Sequence, residues 1–176
     1  MRDTVRGIIV FGANGSGKTT LGRELASALG CKHIDHEDYA FNESDIPYAN
    51  PRTFEKCAEL MLADIEKYRA FVLSAVTGDF GDAITQYYTL AVYLFAPLEL
   101  RLERIEQREY DKFGDRVREG GDMYERRLKF HDFVASRPLS WIDEWAQTLA
   151  CPVIRVDGKD DWRVSAAKIA KEWCPA

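Results

Sequence analysis

The chain has 176 residues, 46% hydrophobic and 30% charged, with a net charge of −5 and no low-complexity run or internal repeat. This length suits one compact domain spanning residues 1–176, and the composition excludes a disordered chain. The acidic balance argues against nucleic-acid binding, which needs an excess of Lys and Arg to displace counterions. No stretch approaches the roughly 18 consecutive apolar residues of a membrane span. A cytoplasmic protein with neither nucleic-acid nor membrane partners is expected, as a monomer or homodimer. Cys31, Cys57, Cys151 and Cys174 form no CxxC pair, so they read as small buried hydrophobes and not as a zinc or disulfide framework.

Val5 to Phe11 is a short β-branched run ending at a glycine, the pattern of a strand buried on both faces. Lys18 to Leu29 follows with Leu21, Leu25 and Leu29 on one helical stripe, closed by Gly30. His33 to Asp35 reads as a second strand. Pro51 to Tyr68 reads as a helix capped by Asn50, with Phe54, Ala58, Met61, Ile65 and Tyr68 inward. Further strands are expected at Phe71 to Val76, Ala91 to Ala96 and Pro152 to Val156. Between the last two, a helix opening at Pro97 carries Leu98, Leu102 and Ile105 inward, and a final helix covers 160–173. This alternation implies a parallel five-stranded sheet with helices on both faces, an α/β three-layer architecture. Residues 111–121 (DKFGDRVREGG) are charged, hold three glycines and offer almost no apolar surface. They read either as a surface loop or as a mobile insertion, a small lid over about 109–122.

Gly12-Ala13-Asn14-Gly15-Ser16-Gly17-Lys18-Thr19 fits G-x-x-x-x-G-K-[ST] between a strand and an amphipathic helix, the context that gives this motif its meaning. Backbone amides of such a loop turn inward around phosphate oxygens, and the helix presents its positive end. The lysine reaches the β- and γ-phosphates, and the hydroxyl of Thr19 serves Mg²⁺. Residues 12–19 with Thr20 are therefore the expected ATP site. The N/T-K-x-D motif of GTPases is absent, as is the apolar strand ending in Asp-Glu of motor and AAA-type ATPases. Asp35 is the candidate metal carboxylate, and Asp35, Glu37 and Asp38 are candidate acceptor-site acids; the alternative is that they cap and start a helix. His33, His36 and His131 lack metal-ligand spacing. Arg101, Arg104 and Arg108 share one helical face, where Arg101 and Arg104 have no acid three or four residues away and Arg108 has only Asp111. That face is expected to lie opposite the apolar stripe, either paired with an external anion or simply solvated. Trp141 and Trp145, at i and i+4, read as core in preference to a partner surface.

These residues resemble the nucleoside monophosphate kinase group of P-loop kinases, which includes adenylate kinases and the similar shikimate and gluconate kinases. GANGSGKTTLGRELASALG with an Asp-rich strand end resembles the shikimate and gluconate side, and Arg104-Ile105-Glu106-Gln107-Arg108 resembles the R-x-x-x-R of adenylate kinases. The resemblance implies that Arg104 packs on adenine, that Arg108 binds phosphate and that Arg116 and Arg127 clamp the transferred phosphoryl group from the lid. It also implies that Gly158, in Val156-Asp157-Gly158, borders the adenine, and that Arg52 and the Gly78-Asp79 segment face the acceptor. The D-G-F-P-R segment that grips AMP is missing, since this chain reads Thr77-Gly78-Asp79-Phe80, and the G-G-G turn and R-P-L-L lid of shikimate kinases are missing too. The expected activity is transfer of the γ-phosphate of ATP, with Mg²⁺, to a nucleoside monophosphate or a shikimate- or gluconate-like hydroxyl. The alternative is an ATP-binding or ATP-hydrolysing module without such an acceptor.

Overall fold

The apolar run at the start of the chain forms β1 (Arg6–Phe11), the middle strand of a parallel sheet. The computed structural model describes residues 4–43 and 49–173, so Cys174 lies outside the described residues. After β1 come α1 (Lys18–Leu29), β2 (Lys32–Asp35), α2 (His36–Ala40), α3 (Phe54–Tyr68), β3 (Ala70–Ala75), α4 (Asp82–Thr85) and β4 (Tyr88–Phe95). The second half holds α5 (Leu98–Phe113), a 3-10 turn (Gly114–Val117), α6 (Tyr124–Ser136), α7 (Ser140–Gln147), β5 (Val153–Asp157) and α8 (Trp162–Glu172). The strands run in the order β2-β3-β1-β4-β5, all parallel. The expected three-layer fold is therefore present.

Alternation along β1 explains the two covered faces. Ile8 and Val10 pack with Leu21 and Leu25 of α1 and Ile169 of α8, while Ile9 and Phe11 pack with Met61 and Ile65 of α3, Ile84 of α4 and Ile142 of α7. Each such fully buried side chain stabilises the fold by about 1.5–3 kcal/mol, so the central strand is anchored on both sides and its C-terminal end is a rigid platform. Trp145 packs edge-on against Phe11, with ring centroids 4.9 Å apart, as the core reading expects. Cys57 is buried and Cys31 and Cys151 partly so, all as free thiols. Among the described residues, no helix is long and apolar enough to cross a membrane.

Four local expectations are corrected. The third helix starts at Phe54, not Pro51, because Thr53 is the cap: its hydroxyl accepts from the Lys56 amide, and Pro51 instead bridges Phe41. Its buried stripe is Cys57, Met61 and Ile65, which leaves Phe54 56% and Tyr68 45% exposed. In α5 the buried residues are Arg101 and Ile105, one turn apart, so Arg101 does not lie opposite the apolar stripe. Residues 111–121 do bury an apolar side chain: α5 runs on to Phe113, and Val117 in the following turn is 3% exposed.

Candidate functional site

The loop after β1 is shaped by glycine. Gly12 (φ 149°) and Gly15 (φ 79°) hold backbone conformations that a side chain rarely adopts. A Cβ on Gly12 would come 2.1 Å from the Leu94 carbonyl oxygen, and one on Gly15 would come 2.4 Å from that of Arg101. The loop is thus pressed between β4 and α5 with only backbone at its narrowest points. Gly17 precedes α1 without any side-chain cap, leaving the first amides of a 12-residue helix available to an anion. The buried Ser16 hydroxyl likewise has no partner. Thr19 is half-buried and Thr20 exposed on the first turn.

Lys18 folds back over the loop and donates to the Ala13 carbonyl at 2.9 Å. Although the residue as a whole is only half-buried, enclosure lowers its pKa from 10.5 to about 8, against the opposing fields of Glu37 and Asp35 and with those of Arg108 and Arg101. One ammonium thus sits within reach of acids from the β2–α2 junction and arginines from α5.

Behind it, the buried Ser74 hydroxyl donates to the Lys18 carbonyl at 3.2 Å and lies 3.0 Å from His33 Nε2. The hydroxyl has one proton, so His33 donates to it from Nε2, and burial lowers the His33 pKa and favours this neutral form. Sequence reasoning passed over Ser74, whose only signal is a polar residue inside an otherwise apolar strand.

Asp35 caps α2 by accepting from the Glu37 amide at 3.1 Å, so the capping alternative holds for it, alongside its field on Lys18. Glu37 and Asp38 occupy the exposed first turn. His36 meets Phe80 in a tilted contact with ring centroids 4.9 Å apart, and Phe54 lies nearly parallel to Phe80 at 6.4 Å, giving the far wall aromatic rings. Exposed Asp79 lies beside this wall, and the Gly78 carbonyl accepts from the buried Tyr88 hydroxyl at 3.0 Å. Arg52 donates to the carbonyls of Tyr39, at 2.9 Å, and Phe41, closing the end of α2. Among the described residues no group of three or more His, Cys, Asp or Glu side chains is placed to hold a metal.

The arginines separate into two sets. Arg104 donates to the Ser16 carbonyl at 3.0 Å and the Gly158 carbonyl at 2.7 Å, stitching the phosphate loop to the segment after β5. Arg108 is exposed on the same face. By contrast, Arg116 forms a two-pronged pair with Asp122 at 2.9 and 2.7 Å, and Arg127 bonds Glu106 at 2.5 Å and the Val117 carbonyl at 3.1 Å. Arg116 is thus held next to the 3-10 turn, whereas Arg127 ties α6 to α5 and to that turn.

A family model described as an AAA domain matches residues 8–127. A cytidylate kinase of Haloarcula marismortui is 31% identical over 134 residues, covering 68% of this chain and 69% of that protein. The chain belongs to this AAA-domain family, among its P-loop small-molecule kinases. A shikimate kinase of Acinetobacter baylyi is 34% identical to this kinase over 116 residues, covering 58% of this chain and 62% of the relative. The uncharacterized Bacillus subtilis protein YqaC is 29% identical over 170 residues, with 91% of this chain and 92% of that protein covered. The solved shikimate kinase from Acinetobacter baumannii in complex with shikimate shares the fold of this kinase, with a TM-score of 0.53 at 20% identity over 97% of this chain and 93% of that one. The kinase end of the family agrees with β3, which ends in Ser74-Ala75 where AAA-type ATPases carry Asp-Glu.

Proposed function

We propose that this kinase transfers the γ-phosphate of ATP to an oxygen of a small-molecule acceptor held between β2, the start of α3 and the segment after β3. The observation that carries the reading is Lys18 folded over the phosphate loop, 2.9 Å from the Ala13 carbonyl, at the uncapped start of α1 and in the field of the carboxylates Glu37 and Asp35 from the β2–α2 junction.

The loop from Gly12 to Gly17, with Lys18, Thr19 and Thr20, would hold the phosphates, and Arg104 with Gly158 would border the base. The uncapped first amides of α1 and the unpartnered Ser16 hydroxyl suit a phosphate chain. Thr19 and Asp35 would hold Mg²⁺, directly or through water; when bound, the ion neutralises charge on the phosphate oxygens. The acceptor oxygen attacks the γ-phosphorus and the bond to ADP breaks; where that oxygen is a hydroxyl its proton passes to Glu37 or Asp38, and where it is a phosphate oxygen no proton has to leave. Lys18 stays on the moving phosphoryl group throughout. Arg108 stabilises it from α5, and Arg116 and Arg127 join once residues 109–122 close as a lid. Closure exchanges their carboxylate partners for phosphate and excludes water. Arg52 braces the acceptor wall through α2, beside Gly78 and Asp79. The acceptor is a nucleoside monophosphate or a compact polyol acid.

An ADP-release screen against nucleoside monophosphates, nucleosides, shikimate and sugar acids tests this. Stimulation by one class, absent from Lys18→Ala, supports transfer; equal ADP release with every addition contradicts it.

A further inference from the structure

We infer that Gly22, Ser74 and His33 form a positioning unit beneath the phosphate loop, which fixes the first turn of α1 through the Lys18 carbonyl and so aims its ammonium and amides at the transferred phosphoryl group. The purpose of the unit rests on the kinase reading, whereas its existence rests on geometry alone.

Three elements meet here at hydrogen-bond distance. The Ser74 hydroxyl, 1% exposed on β3, donates to the Lys18 carbonyl at 3.2 Å, and His33 of β2 lies behind it with Nε2 3.0 Å from the same hydroxyl oxygen. Gly22 makes the approach possible: a Cβ there would come 2.2 Å from Ser74 Oγ and 2.9 Å from His33 Nε2. Glycine weakens a helix interior relative to alanine. Gly22 is buried inside the 12-residue α1, so what the position supplies is room for this contact. Main-chain hydrogen bonding does not require it. A carbonyl in the first turn of a helix already accepts from the amide four residues on, and its second lone pair can stay empty at little cost. An alanine in place of Ser74 would also suit an otherwise apolar strand, since a buried hydroxyl has to be paired merely to offset its lost hydration. The bond therefore adds direction more than stability.

That direction matters because of what the turn carries. Lys18 Nζ reaches back to the Ala13 carbonyl at 2.9 Å, and the amides that open α1 have no side-chain cap. Stabilising a moving phosphoryl group depends on donors that are already aimed at it. His33 extends the unit toward the acids: it stands two residues before Asp35 on β2, and Ser74 is the partner of Asp35 across the β2–β3 ladder. The start of α1 is thus tied to the strand ends beside Asp35 and Glu37, and the donor and acceptor sides of the site keep one spacing.

The test compares Ser74→Ala, His33→Leu and His33→Gln with the wild type. With an acceptor from the stimulating class, Ser74→Ala and His33→Leu should each lower kcat by about tenfold or more while the KM for ATP changes less than about threefold, with melting temperatures close to that of the wild type. His33→Gln, which keeps a donor for Ser74, should recover most of the turnover that His33→Leu loses. Because the proton of the Ser74 hydroxyl is given to Lys18, nitrogen NMR of the protein saturated with MgADP should find the proton of neutral His33 on Nε2, a reading that needs no acceptor. Unchanged turnover in Ser74→Ala, an equal loss in both His33 variants, or the proton on Nδ1 overturns the unit. A large fall in the melting temperature of Ser74→Ala overturns it as well, because support of the fold would then account for the bond. Absence of acceptor-stimulated ADP release from the wild type overturns the kinase reading and the purpose of the unit with it, while the His33 tautomer still decides whether the unit exists.

Discussion

Lys18 concentrates the chemistry of the site in one titratable group. Its folded pKa of about 8 lies below the unfolded value of 10.5, so burial of the ammonium is a cost carried in full below pH 8. The stability of the nucleotide-free protein should therefore rise as pH increases from 8 to 10.5, the interval between the two pKa values, and Lys18→Met should flatten that rise in denaturant titrations. Phosphate bound at the ammonium reverses the shift, so calorimetry at pH 8.5 in buffers of different ionisation enthalpy should register uptake of part of a proton with ATP, and none in Lys18→Met. Gly12→Ala should cost about 1–3 kcal/mol of stability, read as a lower melting temperature with weakened nucleotide binding, because the new methyl meets the Leu94 carbonyl. The phosphate loop was legible from the sequence because its chemistry is contiguous. The burial of Arg101 was not, since it depends on Asn14, α6 and α7 meeting around a residue that local periodicity places only one turn from Ile105.

At the scale of elements, the sequence located every strand to within a few residues: four are runs rich in apolar residues bounded by turns, and β2, Lys-His-Ile-Asp, is short and was placed by its position between two helices. Helix starts were less readable: Asn50 and Pro51 offer a plausible cap, yet the Thr53 hydroxyl takes the role. Thr53→Ala should destabilise the protein by about 1 kcal/mol, visible as a small shift in the urea midpoint with no change in its steepness. The closing motion proposed for residues 109–122 involves the last turn of α5 and the segment after it. Arg116 is tied to Asp122 in the structure, so its transfer to the phosphoryl group belongs to the closed state. Arg116→Ala is accordingly expected to lower turnover by more than tenfold while changing ATP affinity less than threefold; a loss confined to ATP affinity would remove it from the closing step.

At the scale of the molecule, the sheet order β2-β3-β1-β4-β5 brings the ends of β1, β2 and β3 together, with the phosphate loop on one and the acids beside another. The alternation of strand and helix signals was enough to read this architecture. The aromatic wall of His36, Phe80 and Phe54 was not, because its members come from three separate segments. The wall also explains why the acceptor stays less specified by sequence than the donor: its recognition is assembled in space. The central claim is transfer, and the fate of the γ-phosphate tests it most directly. With ATP labelled at that position and an acceptor from the stimulating class, the label should leave on the acceptor, as an ester of a hydroxyl or as the β-phosphate of a nucleoside diphosphate, and Lys18→Ala should leave it on ATP. Label recovered as free phosphate at one slow rate whatever acceptor is present would contradict the account.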